Sequence, residues 1–241
     1  VLQSTTYTFF YSWPLLLLLL YFTPFVLASY HRRFRWNHPV IVILWIPLAL
    51  VVNLSGPLNP GVILVAAFGV AAGFWSRTGS SIRAKNFLHK MNTLFRQVPA
   101  YYWFFWLPAV LFALYSLYLG QFNTNTMAAQ KSLAALYSRL PGGIYKEMLT
   151  DSGFLFLLGA VLFNMLFIRF TTSGADRKNA LKPYKWAGLF IVLYLLLLPL
   201  GGYRDYRPGI VRWDTLMPVS LTLIFLFGYS TIFLAKTLKL R

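Results

Sequence analysis

The chain has 241 residues, of which 58% are hydrophobic and 11% charged, and it carries a net charge of +17 from 22 Lys plus Arg against 5 Asp plus Glu. Soluble domains carry about 25% charged residues, so a water-soluble globule is excluded. A membrane β-barrel is excluded too, because its strands would alternate apolar and polar residues and runs such as Leu15 to Leu20 and Leu195 to Leu198 do not.

These features predict an all-α, polytopic transmembrane helix bundle with a single transmembrane domain over residues 1–241. The positive charge reads as a marker of cytoplasmic loops, not of nucleic-acid binding. Cysteine is absent, which removes disulfides and thiolate metal sites. The chain starts at Val1, and its first thirty residues carry no charge. The positive n-region of a secretory signal is therefore missing.

The first predicted span runs from about Phe9 to Leu27, with Pro14 and Pro24 as bends, and meets the basic run His31-Arg32-Arg33-Phe34-Arg35. The second covers about Trp36 to Leu54 and the third about Pro60 to Trp75, joined by a turn rich in Pro and Gly at residues 55–60. A third span of sixteen residues reaches about 24 Å, short of a hydrocarbon core of about 30 Å. Residues 39–76 therefore form either two spans or a re-entrant hairpin, which gives about seven spans or five. Gly69 and Gly73 make a small-xxx-small face that lets a helix of another membrane chain approach closely.

Residues 80–98 change character. Phe87, Leu88, Met91, Leu94 and Phe95 share one helical face, with Arg83, Lys85, Lys90 and Arg96 around the rest. This predicts an interfacial amphipathic helix drawn to anionic headgroups; the alternative is a docking surface for a soluble partner. The fourth span, about Pro99 to Gly120, opens on Tyr101, Tyr102, Trp103, Phe104, Phe105 and Trp106 and is bent at Pro108. Such rings serve as an interface belt or as a stacking surface for a sugar or an isoprenoid tail.

A second interfacial helix is predicted near 126–140, from Leu133, Leu136, Tyr137 and Leu140, and ended by Pro141-Gly142-Gly143. The fifth span is about Gly153 to Ile168, and its Asn164 is expected to bond to a neighbouring helix. A basic loop with Arg169, Arg177, Lys178, Lys182 and Lys185 precedes the sixth span, about Trp186 to Leu200. The seventh is about Leu216 to Ala235, with Pro218 in its first turn.

Orientation follows from counting. Sixteen of the 22 Lys and Arg fall in the connections after spans one, three and five and in the C-terminal tail; six fall on the opposite side. The positive-inside rule puts the N-terminus outside and the C-terminus in the cytoplasm, for seven spans or five. An exported, uncharged N-terminus is explained most simply by spans upstream of Val1, which would make this the C-terminal part of a longer membrane protein. The expected location is a bacterial cytoplasmic (inner) membrane.

The chemical inventory is short. Carboxylates are confined to Glu147, Asp151, Asp176, Asp205 and Asp214, none at mid-span, which argues against proton-coupled transport. His31, His38 and His89 lack partners at ligand spacing, so neither a metal site nor a cofactor is expected. No phosphate-cradling Gly loop and no Gly-x-Ser-x-Gly elbow is present.

One stretch remains, the connection of residues 201–214. It holds Arg204, Arg207, Arg212, Tyr203, Tyr206, Asp205, Trp213 and Asp214 between two apolar runs. The charge count puts it outside, where its arginines run against the topological bias. Arginine forks suit phosphate or carboxylate, so Arg204, Arg207, Arg212, Tyr203, Tyr206 and Asp205 form a candidate substrate or anion site. Structural roles compete with this: Asp214 as N-cap of the last helix, Tyr203, Tyr206 and Trp213 as interface anchors, and Arg204, Arg207 and Asp205 paired together. Two functions are compatible with the pattern. One is a membrane-embedded, glycosyltransferase-type enzyme using an anionic lipid-linked substrate. The other is a non-catalytic scaffold, channel or permease subunit of a larger complex.

Overall fold

A computed structural model describes residues 11–30, 39–56, 58–78, 87–98, 100–122, 132–201, 209 and 211–239. The described residues are helical, with no strand among them. The helices are α1 (Trp13–Tyr30), α2 (Pro39–Ser55), α3 (Asn59–Thr78), α4 (Phe87–Gln97), α5 (Ala100–Gln121), α6 (Leu133–Tyr137), α7 (Leu140–Ile144), α8 (Ser152–Thr171), α9 (Gly174–Leu197) and α10 (Met217–Lys239). A π-helical turn, Tyr145–Leu149, follows α7, and a 3-10 turn, Leu198–Gly201, follows α9.

Among the described residues 5 helical segments are long and apolar enough to cross a membrane: Asn59–Ser76, Tyr102–Gly120, Ser152–Thr171, Gly174–Leu200 and Met217–Leu238. Trp13–Phe25 and Ile43–Ser55 are apolar but shorter. The number equals the hairpin expectation, but the members differ, because α3 qualifies. Its 20 residues reach about 30 Å, since the helix continues beyond Trp75. The outer faces suit lipid. On α8, Phe156, Phe163 and Phe170 recur every seven residues and are 80%, 67% and 82% exposed. A ridge of bare rings is untenable in water and ordinary in a bilayer, so the chain is compatible with an integral membrane protein.

The chain divides into two compact units, Val1–Phe122 and Asn123–Arg241. In the first, α2 and α3 pack on α5, and α1 packs on α2. Tyr21, Phe25, Trp45, Phe105 and Trp106 interlock there, with Trp45 and Phe105 edge to face at 5.7 Å and Phe25 and Trp106 at 5.2 Å. Polar side chains tie the helices through backbone carbonyls. Tyr21 donates to the Phe105 carbonyl at 2.6 Å. Asn53 donates to the carbonyls of Ala49 and Ala109. Asn59, at the start of α3, donates to Pro14 and Val52, both at 2.9 Å.

The second unit is built on α8, α9 and α10. Ile168, Ala180 and Leu234 are buried together, with Leu181, Tyr184 and Phe233 against them. Asn164 bridges as expected: its Nδ2 donates to Ser230 Oγ at 3.0 Å and Thr231 Oγ1 at 3.1 Å on α10. Asp151 caps α8 by accepting from the Phe154 N–H at 2.9 Å.

Three local expectations are corrected. Arg177, Lys178, Lys182 and Lys185 do not lie in a loop. They belong to the first half of α9, and only Thr172 and Ser173 separate α8 from α9. Ala180, Leu181, Tyr184 and Ala187 give that half an apolar stripe at helical spacing, and Gly174 takes φ +58° at the corner, where glycine suffers no Cβ clash. Pro141 does not end a helix. It sits in the first turn of α7, where its missing N–H costs nothing, and the break falls earlier, at Ser138 and Arg139. The described part of the second interfacial segment is thus two short helices, while residues 126–131 lie outside the described residues. The third correction concerns Asp214.

Candidate functional site

The connection between α9 and α10 carries every residue of the candidate site. Tyr203, Arg204, Asp205, Tyr206 and Arg207 lie outside the described residues; Arg212 is within them.

Arg212 is held by Asp214. Its Nε donates to Oδ1 at 2.9 Å and its Nη2 to Oδ2 at 3.0 Å. This is the two-pronged geometry that suits guanidinium and carboxylate. Nη1 also approaches the Gly209 carbonyl at 3.4 Å. The Asp214 side chain is almost fully buried, whereas that of Arg212 keeps 27% of its surface. Asp214 therefore does not cap α10, which begins three residues later. Its Oδ1 accepts from the Thr215 N–H at 2.8 Å, and both of its oxygens accept from Arg212. A carboxylate drawn to a guanidinium two residues back gains a charged partner as well as an amide, which outweighs a cap alone.

Around this pair the chain makes a closed knot. Thr215 Oγ1 accepts from the Arg212 N–H at 2.9 Å and lies 3.0 Å from the Arg212 carbonyl. The Leu216 N–H reaches that carbonyl at 2.9 Å. Tyr194, buried on α9, donates to the Thr215 carbonyl at 2.8 Å. The other side is set by Gly143 of α7: a Cβ there would stand 3.0 Å from Val211 Cβ and 3.1 Å from its Cγ2. Nearby, Tyr137 on α6 donates to the Leu196 carbonyl near the end of α9 at 2.8 Å. Trp213 is 52% exposed, as an interface anchor would be.

Sequence reasoning missed Tyr194, Thr215 and Gly143. Thr215 had a local signal, a hydroxyl three residues after Arg212. Tyr194 and Gly143 act through contacts far along the chain and had none. Glu147, half-buried on the π-helical turn that follows α7, brings a carboxylate to the same end of this unit. Lys146 beside it is exposed. Among the described residues, no group of three or more His, Cys, Asp or Glu could hold a metal ion.

Comparison with models of known families, with curated proteins and with solved structures gives no match.

Proposed function

We propose that this is a membrane-embedded protein that binds an anionic, lipid-linked substrate through the Arg/Tyr-rich connection 201–214. The observation that carries the reading is the Arg212–Asp214 clamp. It fixes the far end of the connection, which Tyr194 ties to α9 and against which Gly143 of α7 packs. Arg212 serves as the anchor, and Arg204 and Arg207 are assigned to the phosphate. The charge count favours the exterior for this connection, and the setting that goes with the reading is the outer face of a bacterial cytoplasmic membrane, where lipid-linked sugars are consumed by glycosyltransferase-type enzymes. In such an enzyme Glu147 would be the carboxylate for activating an acceptor hydroxyl.

A second reading, a non-catalytic subunit of a larger membrane complex, draws on the same side chains. Asp151 is used as a cap and Asp214 as an ion-pair partner, and both are structural roles. Of the small-residue face of α3, Gly73 is buried within the unit, and Gly69 is the position open to another chain: nothing lies within 4 Å of a Cβ built on it.

The test is binding of a polyprenyl phosphate to the purified protein. The double variant Arg204→Ala/Arg207→Ala should weaken binding by roughly tenfold or more, since charge-assisted hydrogen bonds contribute about 1.5–3 kcal/mol each. Undiminished binding by the folded variant would remove the first reading and leave the second.

A further inference from the structure

The first unit contains a cavity that the proposed function does not use. It lies where α3, α4 and α5 meet and has a volume of about 370 Å³, within the range of small-ligand pockets. Its walls include Ala67 and Phe74 from α3, Phe95 from α4, and Trp103 and Trp106 from α5. Phe95 stacks on Trp103 with centroids 5.2 Å apart and planes 21° apart, which joins α4 to α5 at the cavity wall. Among the described residues no charged side chain lines it, so a phosphate or a sugar inside would lose its hydration without compensation from them.

The helix that supplies Phe95 to the wall is polarised. α4 holds Lys90 and Arg96 and no acidic residue. Arg96, next to Phe95, is exposed. An apolar slot next to a helix whose only Lys, Arg, Asp or Glu residues are the basic Lys90 and Arg96 matches a ligand with a hydrocarbon tail and a negative head.

We propose that this cavity binds one acyl chain of an anionic phospholipid, with Arg96 meeting the headgroup phosphate. Such a lipid is held at a defined site, unlike the exchanging lipid along Phe156, Phe163 and Phe170. It pins α4 to the bundle and draws its selectivity from charge. Each basic residue near an anionic surface contributes about 1 kcal/mol, or roughly fivefold.

The experiment uses the full chain, stripped of lipid in a neutral detergent and offered equal phosphatidylglycerol and phosphatidylcholine. Native mass spectrometry should find one phosphatidylglycerol retained per chain, favoured over phosphatidylcholine by about fivefold or more. Ala67→Phe, which fills the cavity, should abolish retention. Arg96→Gln should bring the two lipids towards parity without emptying the site. A second measurement needs no variant: phosphatidylglycerol brominated on its acyl chains should quench tryptophan fluorescence with saturation near one equivalent. Quenching that rises with lipid without a break would overturn the proposal, as would full retention by folded Ala67→Phe. Equal retention of the two lipids by the unsubstituted chain would do the same.

Discussion

The two units solve the same problem, buried polarity among apolar helices, in different ways. The first uses neutral donors on backbone carbonyls: Tyr21 on Phe105, Asn53 on Ala109, Asn59 on Pro14 and Val52. It leaves Trp45 Nε1, Trp106 Nε1 and Asn53 Oδ1 buried without a partner among the described residues. The second joins side chain to side chain, Asn164 to Ser230 and Thr231, and gathers its one described ion pair into a knot at one end. Its described residues contribute no such orphaned atom. A carbonyl accepts from whatever donor arrives, so the first arrangement tolerates slack. A two-pronged ion pair requires one geometry, so the second fixes its backbone.

The contrast is broken most directly at Asp214. Asp214→Ala removes the carboxylate that accepts from Arg212 Nε and Nη2 and from the Thr215 N–H. It should cost about 3 kcal/mol, at the low end for a broken buried pair because Arg212 is partly exposed. Chemical unfolding in mixed micelles measures it, and a change under 1 kcal/mol would show that the pair does not hold the knot. Gly143→Val forces side-chain atoms against Val211 and should cost about 1–3 kcal/mol, as overpacking does. Combined with Val211→Ala, part of that loss should return, because the Cγ2 collision is removed while the closer one with Cβ stays; the part that returns is collision and not helix propensity.

Smaller effects sharpen the comparison. Asn164→Leu removes an interhelical bond and should cost about 1 kcal/mol, since such bonds in membranes are modest. Weaker association of α8 with α10, read from interhelical cross-linking, should accompany it. Trp45→Phe should change stability least, within about 1 kcal/mol, because the lost ring volume is offset by removal of an unpaired donor. A loss as large as that of Asp214→Ala would mean that the indole N–H is paired after all.

How far the sequence was legible follows the same division. The apolar segments declared themselves, because a run such as Gly153 to Ile168 has no other stable environment. Asn164 was readable as a bridge for the same reason. The basic half of α9 was not: its charges and Pro183 imitate a loop, while the stripe Ala180, Leu181, Tyr184 and Ala187 is short and mostly small. Pro141-Gly142-Gly143 looked like a terminator because glycine's use here, room for Val211, depends on a contact 68 positions away. Asp214 stands before a helix and resembles a cap, but the competing Arg212 could be weighed only with the geometry in hand. The candidate site itself was visible as composition, and only its anchored end, from Arg212 to Thr215, has acquired a geometry.

The two-residue link between α8 and α9 carries one more consequence. Tyr184 on α9 approaches the Val161 carbonyl on α8 at 3.5 Å, and each lies ten residues from its own end of the corner, Gly174 and Thr171. At 1.5 Å per residue the basic half of α9 therefore runs about 15 Å alongside α8. Beyond Lys185 the uncharged stretch to Leu200 spans about 24 Å, allowing for its final 3-10 turn, against about 30 Å of hydrocarbon. A bilayer of that thickness around α9 would have to thin, or Lys182 and Lys185, both exposed, would stretch their ammonium groups towards the headgroups. The flank bearing Phe156, Phe163 and Phe170 is hardly longer: the uncharged stretch of α8 from Ser152 to Ile168 reaches about 25 Å before Arg169. The shortfall is shared by the two helices and falls at the corner that joins them, where Arg169, Lys182 and Lys185 gather.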